Sequence, residues 1–169
     1  MTNRKQELME RLSREFDICD RHIQRIDEAL EAMHTDIPMS VDSYTNLDEN
    51  QIRCMDQFIF RFSKLQDAMG AKIFRYVLEY LDEDVSALPM RDILNLLERY
   101  HFIDSADEWG YIRELRNEIA HDYPLMENDI VSVLNELISK VSILKSIYKR
   151  MKATAVSYTH LTLPTTERV

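Results

Sequence analysis

The sequence predicts an all-α protein, and three observations carry that expectation. Only two glycines and four prolines interrupt 169 residues, too few turn formers for an all-β or α/β chain of this length. Apolar residues recur at spacings of three and four through several long stretches, the period of an amphipathic helix. The length and an apolar share of 45% suit one domain with a sizeable core.

The elements follow in chain order. Leu8, Leu12, Phe16, Cys19, Ile23, Ile26, Leu30 and Met33 form one stripe of a first helix from about Thr2 to about His34. Thr35 to Leu47, with Pro38, Ser40, Asp42, Ser43 and Asn46, reads as a mobile connection crossing one end of a bundle. A second long helix starts near Asp48, with Asn46 as N-cap and Glu49 three residues on. It continues through Ile52, Met55, Ile59, Phe62, Leu65, Met69, Ile73, Val77 and Leu81. Its aromatics, Phe58, Phe60, Phe62, Phe74, Tyr76 and Tyr80, make it apolar nearly all round, as for a central helix or one at an oligomer interface. Gly70 within it marks a close helix crossing, since a mid-helix glycine costs about 1 kcal/mol relative to alanine.

Ser86-Ala87-Leu88-Pro89 opens a shorter helix that ends near His101. Ser105 and Glu108 have the form of a capping box, so a further helix starts there and stops near Tyr123, before Pro124. A last helix spans about Asn128 to Lys152 on Ile130, Leu134, Leu137, Val141, Leu144, Tyr148 and Met151. Lys145, Lys149, Arg150 and Lys152 crowd its end, where they complement the helix dipole or, on a second reading, form a patch for an RNA backbone. Val156 to Thr165 is Thr-rich, aperiodic and β-prone. It resembles a translated transposon-end adaptor from a sequencing library, which bounds the domain at residues 1–155 and leaves 156–169 as a non-native tail; a short native tail is the other reading.

A formal charge of −9 opposes binding nucleic acid by bulk electrostatics, so DNA is not an expected partner and any RNA must meet a local basic pocket. Cys19 and Cys54 have no metal-ligand spacing and read as small apolar residues. Neither a metal nor a cofactor is expected. The first residues contain no apolar leader and nowhere do 18 apolar residues run together, which gives a cytoplasmic expectation with no membrane partner.

Chemistry concentrates in Arg116-Asn117-Glu118-Ile119-Ala120-His121-Asp122-Tyr123. On a helix Asn117 and His121, four apart, share one face, and Arg116 and Tyr123, seven apart, share an adjoining one. Metal-independent RNA cleavage needs a base for the 2′-hydroxyl, an acid for the departing 5′-oxygen and a cation for the phosphate. Histidine suits the first two tasks at neutral pH and arginine the third. Asn117 is placed to bind a phosphate or to fix the His121 ring. One helix offers one such histidine for two tasks, so two copies about a two-fold axis would complete the site; Gly110 reads either as room for the partner helix or as an ordinary surface glycine. Taken singly, each residue is more often structural: Arg116 paired with a glutamate, His121 at a helix end, Tyr123 in the core.

Arg116 to His121 resembles the R-polar-x-x-x-H signature of HEPN-domain proteins, and Asp122-Tyr123 extends it to the R-x-x-x-x-H-x-Y form of toxins paired with minimal nucleotidyltransferase antitoxins. The resemblance implies an up-and-down four-helix bundle with an extra short helix, HEPN-like, that dimerises to join two motifs in one endoribonuclease site. It implies that Arg116 and His121 are catalytic with Asn117 in support, and that Tyr123 is the tyrosine the partner nucleotidyltransferase adenylylates. Such a bulky anionic group beside the cleft would repel substrate phosphates. Asp107, Glu108 and Asp122 are the acidic residues placed to support the site, Asp107 or Glu108 by orienting Arg116 or a motif residue of the partner copy; Glu108 also has the capping-box reading. The expected partners are a second copy, the minimal nucleotidyltransferase antitoxin and an RNA substrate. The alternative is a non-catalytic HEPN-like nucleotide-binding or adaptor subunit of a nucleotidyltransferase complex. A third reading is a plain helical oligomerisation module.

Overall fold

A computed structural model describes residues 3–121 and 127–162, and these are helical, with no strand among them. The helices are α1 (Asn3–Ala32), α2 (Val41–Thr45), α3 (Glu49–Ala68), α4 (Phe74–Tyr80), α5 (Met90–Arg99), α6 (Ala106–Ala120), α7 (Glu127–Ser139) and α8 (Val141–Thr162). A π turn, Met69–Ile73, joins α3 to α4, so one helical rod runs from Glu49 to Tyr80.

The core forms where the apolar stripes meet. Leu12, Phe16, Cys19, Ile26 and Met33 of the first stripe are buried, whereas Ile23 and Leu30 are only partly covered. They pack on Phe58, Phe62, Leu65 and Met69 of the rod, with α1 lying along α3 and α4. The rod is less uniformly buried than its composition suggests. Ile52 and Phe60 face outward, and Arg61 and Lys64 each hold a cation 5.5 Å from the Phe60 ring. Opposite α1, the rod receives α6, and a Cβ built on Gly70 would stand 3.4 Å from Cζ2 of Trp109. That is the close crossing the glycine implied.

Local chemistry moves several boundaries. The N-cap of α3 is Asp48, not Asn46: its carboxylate accepts from the Gln51 N–H, and the Gln51 side chain accepts from the Asp48 N–H, both at 2.8 Å. The crossing segment expected to be a mobile loop carries a 3-10 turn, His34–Asp36, and α2. Met39 in it is buried, and the Asn135 amide both donates to and accepts from the Met39 backbone at 2.8 Å. A second tie runs from the Gln51 amide to Asp36 at 2.9 Å. Arg75 similarly pins the stretch before α5 by donating to the carbonyls of Val85 and Leu88.

The last helix is two helices. Ser139 donates its hydroxyl to the Glu136 carbonyl, a bond that competes with the helical ladder, and the chain breaks at Lys140, whose ammonium reaches Glu108 of α6 at 2.8 Å. α8 then continues to Thr162, through the start of the segment expected to be irregular. Met151 and Ala155 are buried along it, and extending an established helix costs far less than starting one. Residues beyond Thr162 lie outside the described residues. Lys145, Arg150 and Lys152 therefore sit in the body of α8 rather than at its end, where the dipole would favour them. They pair with Asp27, Asp104 and Asp20 respectively, which draws them away from service as an RNA patch. No helix among the described residues is long and apolar enough to cross a membrane.

Candidate functional site

Helix α6 begins on Ser105, whose hydroxyl accepts from the Glu108 N–H at 3.2 Å. The reciprocal half of the expected capping box is absent, because the Glu108 carboxylate turns to Lys140, and Glu98 from α5 accepts from the Ala106 N–H instead. Trp109, Ile112 and Leu115 are the buried face of the helix. Arg116 lies at the edge of that face, which brings its guanidinium against the α3 segment that ends in Gln66, Asp67 and Ala68.

There the guanidinium is fixed from two sides. Nη2 stands 2.8 Å from both oxygens of Asp67, and Nη1 donates to the Asn117 side-chain oxygen at 3.2 Å. The Arg116 side chain is 16% exposed and that of Asp67 53%, so the pair straddles the surface with the cation as the more buried member. Nε of Arg116 is buried with no hydrogen-bond partner in the protein. Neither Asp107, which is exposed, nor Glu108 orients Arg116; the acid that does so comes from another helix. Asn117 accepts from Arg116 through its side-chain oxygen.

His121 closes the helix earlier than expected. It is the C-cap, with φ −97° and ψ 143°, and its N–H still donates to the Asn117 carbonyl at 3.1 Å. Its imidazole is thus one turn beyond Asn117 and exposed, but set where the chain leaves the helix rather than stacked within it. Asp122, Tyr123 and Pro124 lie outside the described residues.

A cleft of about 210 Å³ opens beside Arg116, lined by Gln66, Asp67, Gly70, Trp109, Arg113 and Met90 among others. Gln66 is 2% exposed, and both its amide nitrogen and its amide oxygen lack a partner in the protein. An unsatisfied buried polar group costs about 1–3 kcal/mol, so this amide is an expense that packing alone does not explain. The cleft is lined by Arg113, by the ion-paired Arg116 and Asp67, and by the apolar Met90 and Trp109. Among the described residues no group of three or more His, Cys, Asp or Glu side chains converges to hold a metal ion.

Reading the sequence for the motif alone missed Asp67 and Gln66, though Gln66 carries a signal. Phe58, Phe62, Gln66 and Gly70 are spaced by four, one row on the buried face of the rod, and Gln66 is the polar residue in that row. No comparable pattern marks Asp67. Elsewhere, Cys19 and Cys54 are free thiols, and burial first, then the charges of Glu15 and Asp20, pushes the Cys19 thiol up to about 12, consistent with an inert apolar role. No protein-family model, no curated protein and no solved structure matches the chain.

Proposed function

We propose that this chain is the toxin of a HEPN/nucleotidyltransferase toxin–antitoxin module, a metal-independent endoribonuclease that acts as a homodimer. The observation that carries the reading is the setting of Arg116. It is a half-buried cation, held in one orientation by Asp67 and Asn117 at the rim of a cleft, with an exposed imidazole one helical turn further on. Preorganised positive charge of this kind stabilises a phosphate that gains charge in the transition state. His121 supplies one acid-base group, and its counterpart from a second copy supplies the other.

In this reading the helices form a four-helix up-and-down bundle of HEPN type with α5 as the added short helix. Tyr123 is the residue that the cognate nucleotidyltransferase adenylylates. Expression of the chain alone arrests growth, and His121→Ala or Arg116→Ala relieves the arrest. The purified protein cleaves RNA in the presence of EDTA to leave a 2′,3′-cyclic phosphate, and the two substitutions abolish that product. Growth arrest that persists in both variants, or cleavage that needs a divalent ion, sinks the proposal. Copurification with the nucleotidyltransferase that ignores Arg116 and His121, without any RNA cleavage, identifies an adaptor subunit instead.

A further inference from the structure

We propose that the outward face of α3, with the edge of α1 beside it, holds single-stranded RNA, a base lying on the Phe60 ring and its phosphates meeting Arg21, Arg61 and Lys64; the choice of RNA rests on the ribonuclease reading above. An exposed aromatic is by itself ordinary, and what sets this one apart is its company. The Phe60 ring is 52% exposed, with Cζ of Arg61 and Nζ of Lys64 each 5.5 Å from its centroid. α1 lies alongside: the Gln57 amide donates to the Arg25 carbonyl at 3.0 Å, and Arg61 Nη1 donates to Nδ1 of His22 at 3.1 Å. Burial first, then the charges of Arg61, Lys64 and Arg21, lower the pKa of His22, so the three cations lie close to one partly buried imidazole. An open ring among cations holds single strands without reading their sequence, since every base has a face to stack and every nucleotide a phosphate.

The cations of this face are uncommitted. Among the described residues Arg21, Arg61 and Lys64 form no ion pair with a carboxylate, whereas acids on the same two helices are engaged elsewhere: Asp20 with Lys152, Glu28 with Arg25 and Asp67 with Arg116. In a chain of net charge −9, that makes this face the local basic ground that RNA requires. Position favours RNA over an acidic segment of a protein. Phe60, Lys64 and Asp67 run along one stripe of α3 at spacings of four and three, about 10 Å from first to last. Asp67 holds Arg116, so a strand laid on Phe60 and passing Lys64 arrives at the cation proposed to act on its phosphate.

The full chain is titrated into a fluorescein-labelled 2′-O-methyl oligouridine, which resists cleavage through its 2′-oxygen, and anisotropy is read across a salt series. Expected are saturable binding, a loss of about fivefold or more in Phe60→Ala, and affinity within about twofold of the parent in Phe60→Tyr, which keeps the ring. The double variant Arg21→Gln/Lys64→Gln should flatten the slope of log affinity against log salt by about 1.4, the share of two phosphate contacts on a single strand. Lys149→Gln, which removes an exposed cation from α8, should stay within about twofold of the parent and separates loss of this face from loss of charge alone. No saturable binding, Phe60→Ala equal to the parent, an unchanged slope in the double variant, or an equal loss in Lys149→Gln overturns the inference. An oligoglutamate peptide bound as tightly as the oligouridine also overturns it and makes an acidic protein segment the occupant. Cleavage of unmodified RNA is followed on the same preparations. Cleavage by the parent with no change of binding in the Phe60 and Arg21/Lys64 variants removes the face and leaves the ribonuclease. Binding that depends on Phe60, without cleavage, removes the ribonuclease and leaves the face.

Discussion

Arg116 and Asp67 lie 49 residues apart in sequence and meet with Nη2 of the arginine 2.8 Å from both carboxylate oxygens. With Nη1 donating to the Asn117 side-chain oxygen at 3.2 Å, both terminal nitrogens of the guanidinium are held by the protein. Under the proposed ribonuclease function, Arg116→Ala is expected to lower single-turnover RNA cleavage by about 10²–10³-fold, the usual cost of losing a preorganised donor. Asp67→Ala should cost about tenfold to a hundredfold, because the cation stays but its position is lost. The double variant should be no slower than Arg116→Ala, and additive losses would mean that Asp67 acts independently of the arginine.

Gly70 and Trp109 test the crossing of the rod with α6. A Cβ at Gly70 would sit 3.4 Å from Trp109 Cζ2, at the near edge of ordinary contact. Gly70→Ala should therefore change stability by no more than about 1 kcal/mol, since improved helix propensity offsets the contact. Gly70→Leu should destabilise by about 1–3 kcal/mol, because the indole is held against Phe74 with ring centroids 4.6 Å apart. Denaturant midpoints at constant slope distinguish the two.

His22 makes the fold sensitive to acid. Its pKa is lowered from the ordinary 6.5, first by burial and then by Arg61, whose Nη1 is 3.1 Å from the ring Nδ1. The unfolded chain takes up the proton at a higher pH than the folded chain does. The contribution is therefore fully present above pH 6.5 and is lost as pH falls through that value toward the depressed folded one. Unfolding free energy measured between pH 8 and pH 5 should decline faster for the parent than for His22→Gln; parallel curves would assign the acid sensitivity elsewhere.

His101 occupies a left-handed backbone conformation, φ 63°, just past α5, where the Phe102 N–H reaches back to the Leu97 carbonyl at 2.9 Å. This is the helix-ending turn that glycine usually occupies, in a chain with few glycines. His101→Gly should raise stability by up to about 1 kcal/mol, the left-handed penalty less the extra freedom of glycine when unfolded. A midpoint that falls would show that the imidazole itself contributes more than the strain costs.

Much of the helical layout is legible in apolar spacing, because Leu12, Phe16 and Cys19 must share a face and Phe58, Phe62 and Leu65 must meet it. Gly70 likewise reveals its crossing. The break at Lys140 is not legible by spacing, since Leu137, Val141 and Leu144 keep the helical period across it while Ser139 diverts a backbone carbonyl. The N-cap shift from Asn46 to Asp48 is a contest between neighbouring cap formers that only the backbone decides. In the candidate site, Arg116, Asn117 and His121 stand out as polar types at helical spacing. Asp67 does not, because its role depends on which helix packs beside α6, a tertiary fact that no local pattern encodes.

The hydroxyl of Tyr148 in α8 donates toward the Phe16 carbonyl at 2.8 Å and lies 2.7 Å from Asp20, joining residues up to 132 positions apart. During synthesis α1 leaves the ribosome long before α8 exists, so the stripe through Leu12, Phe16 and Cys19 must wait uncovered on that side while most of the chain is made. Closure of the molecule is then a late event in translation.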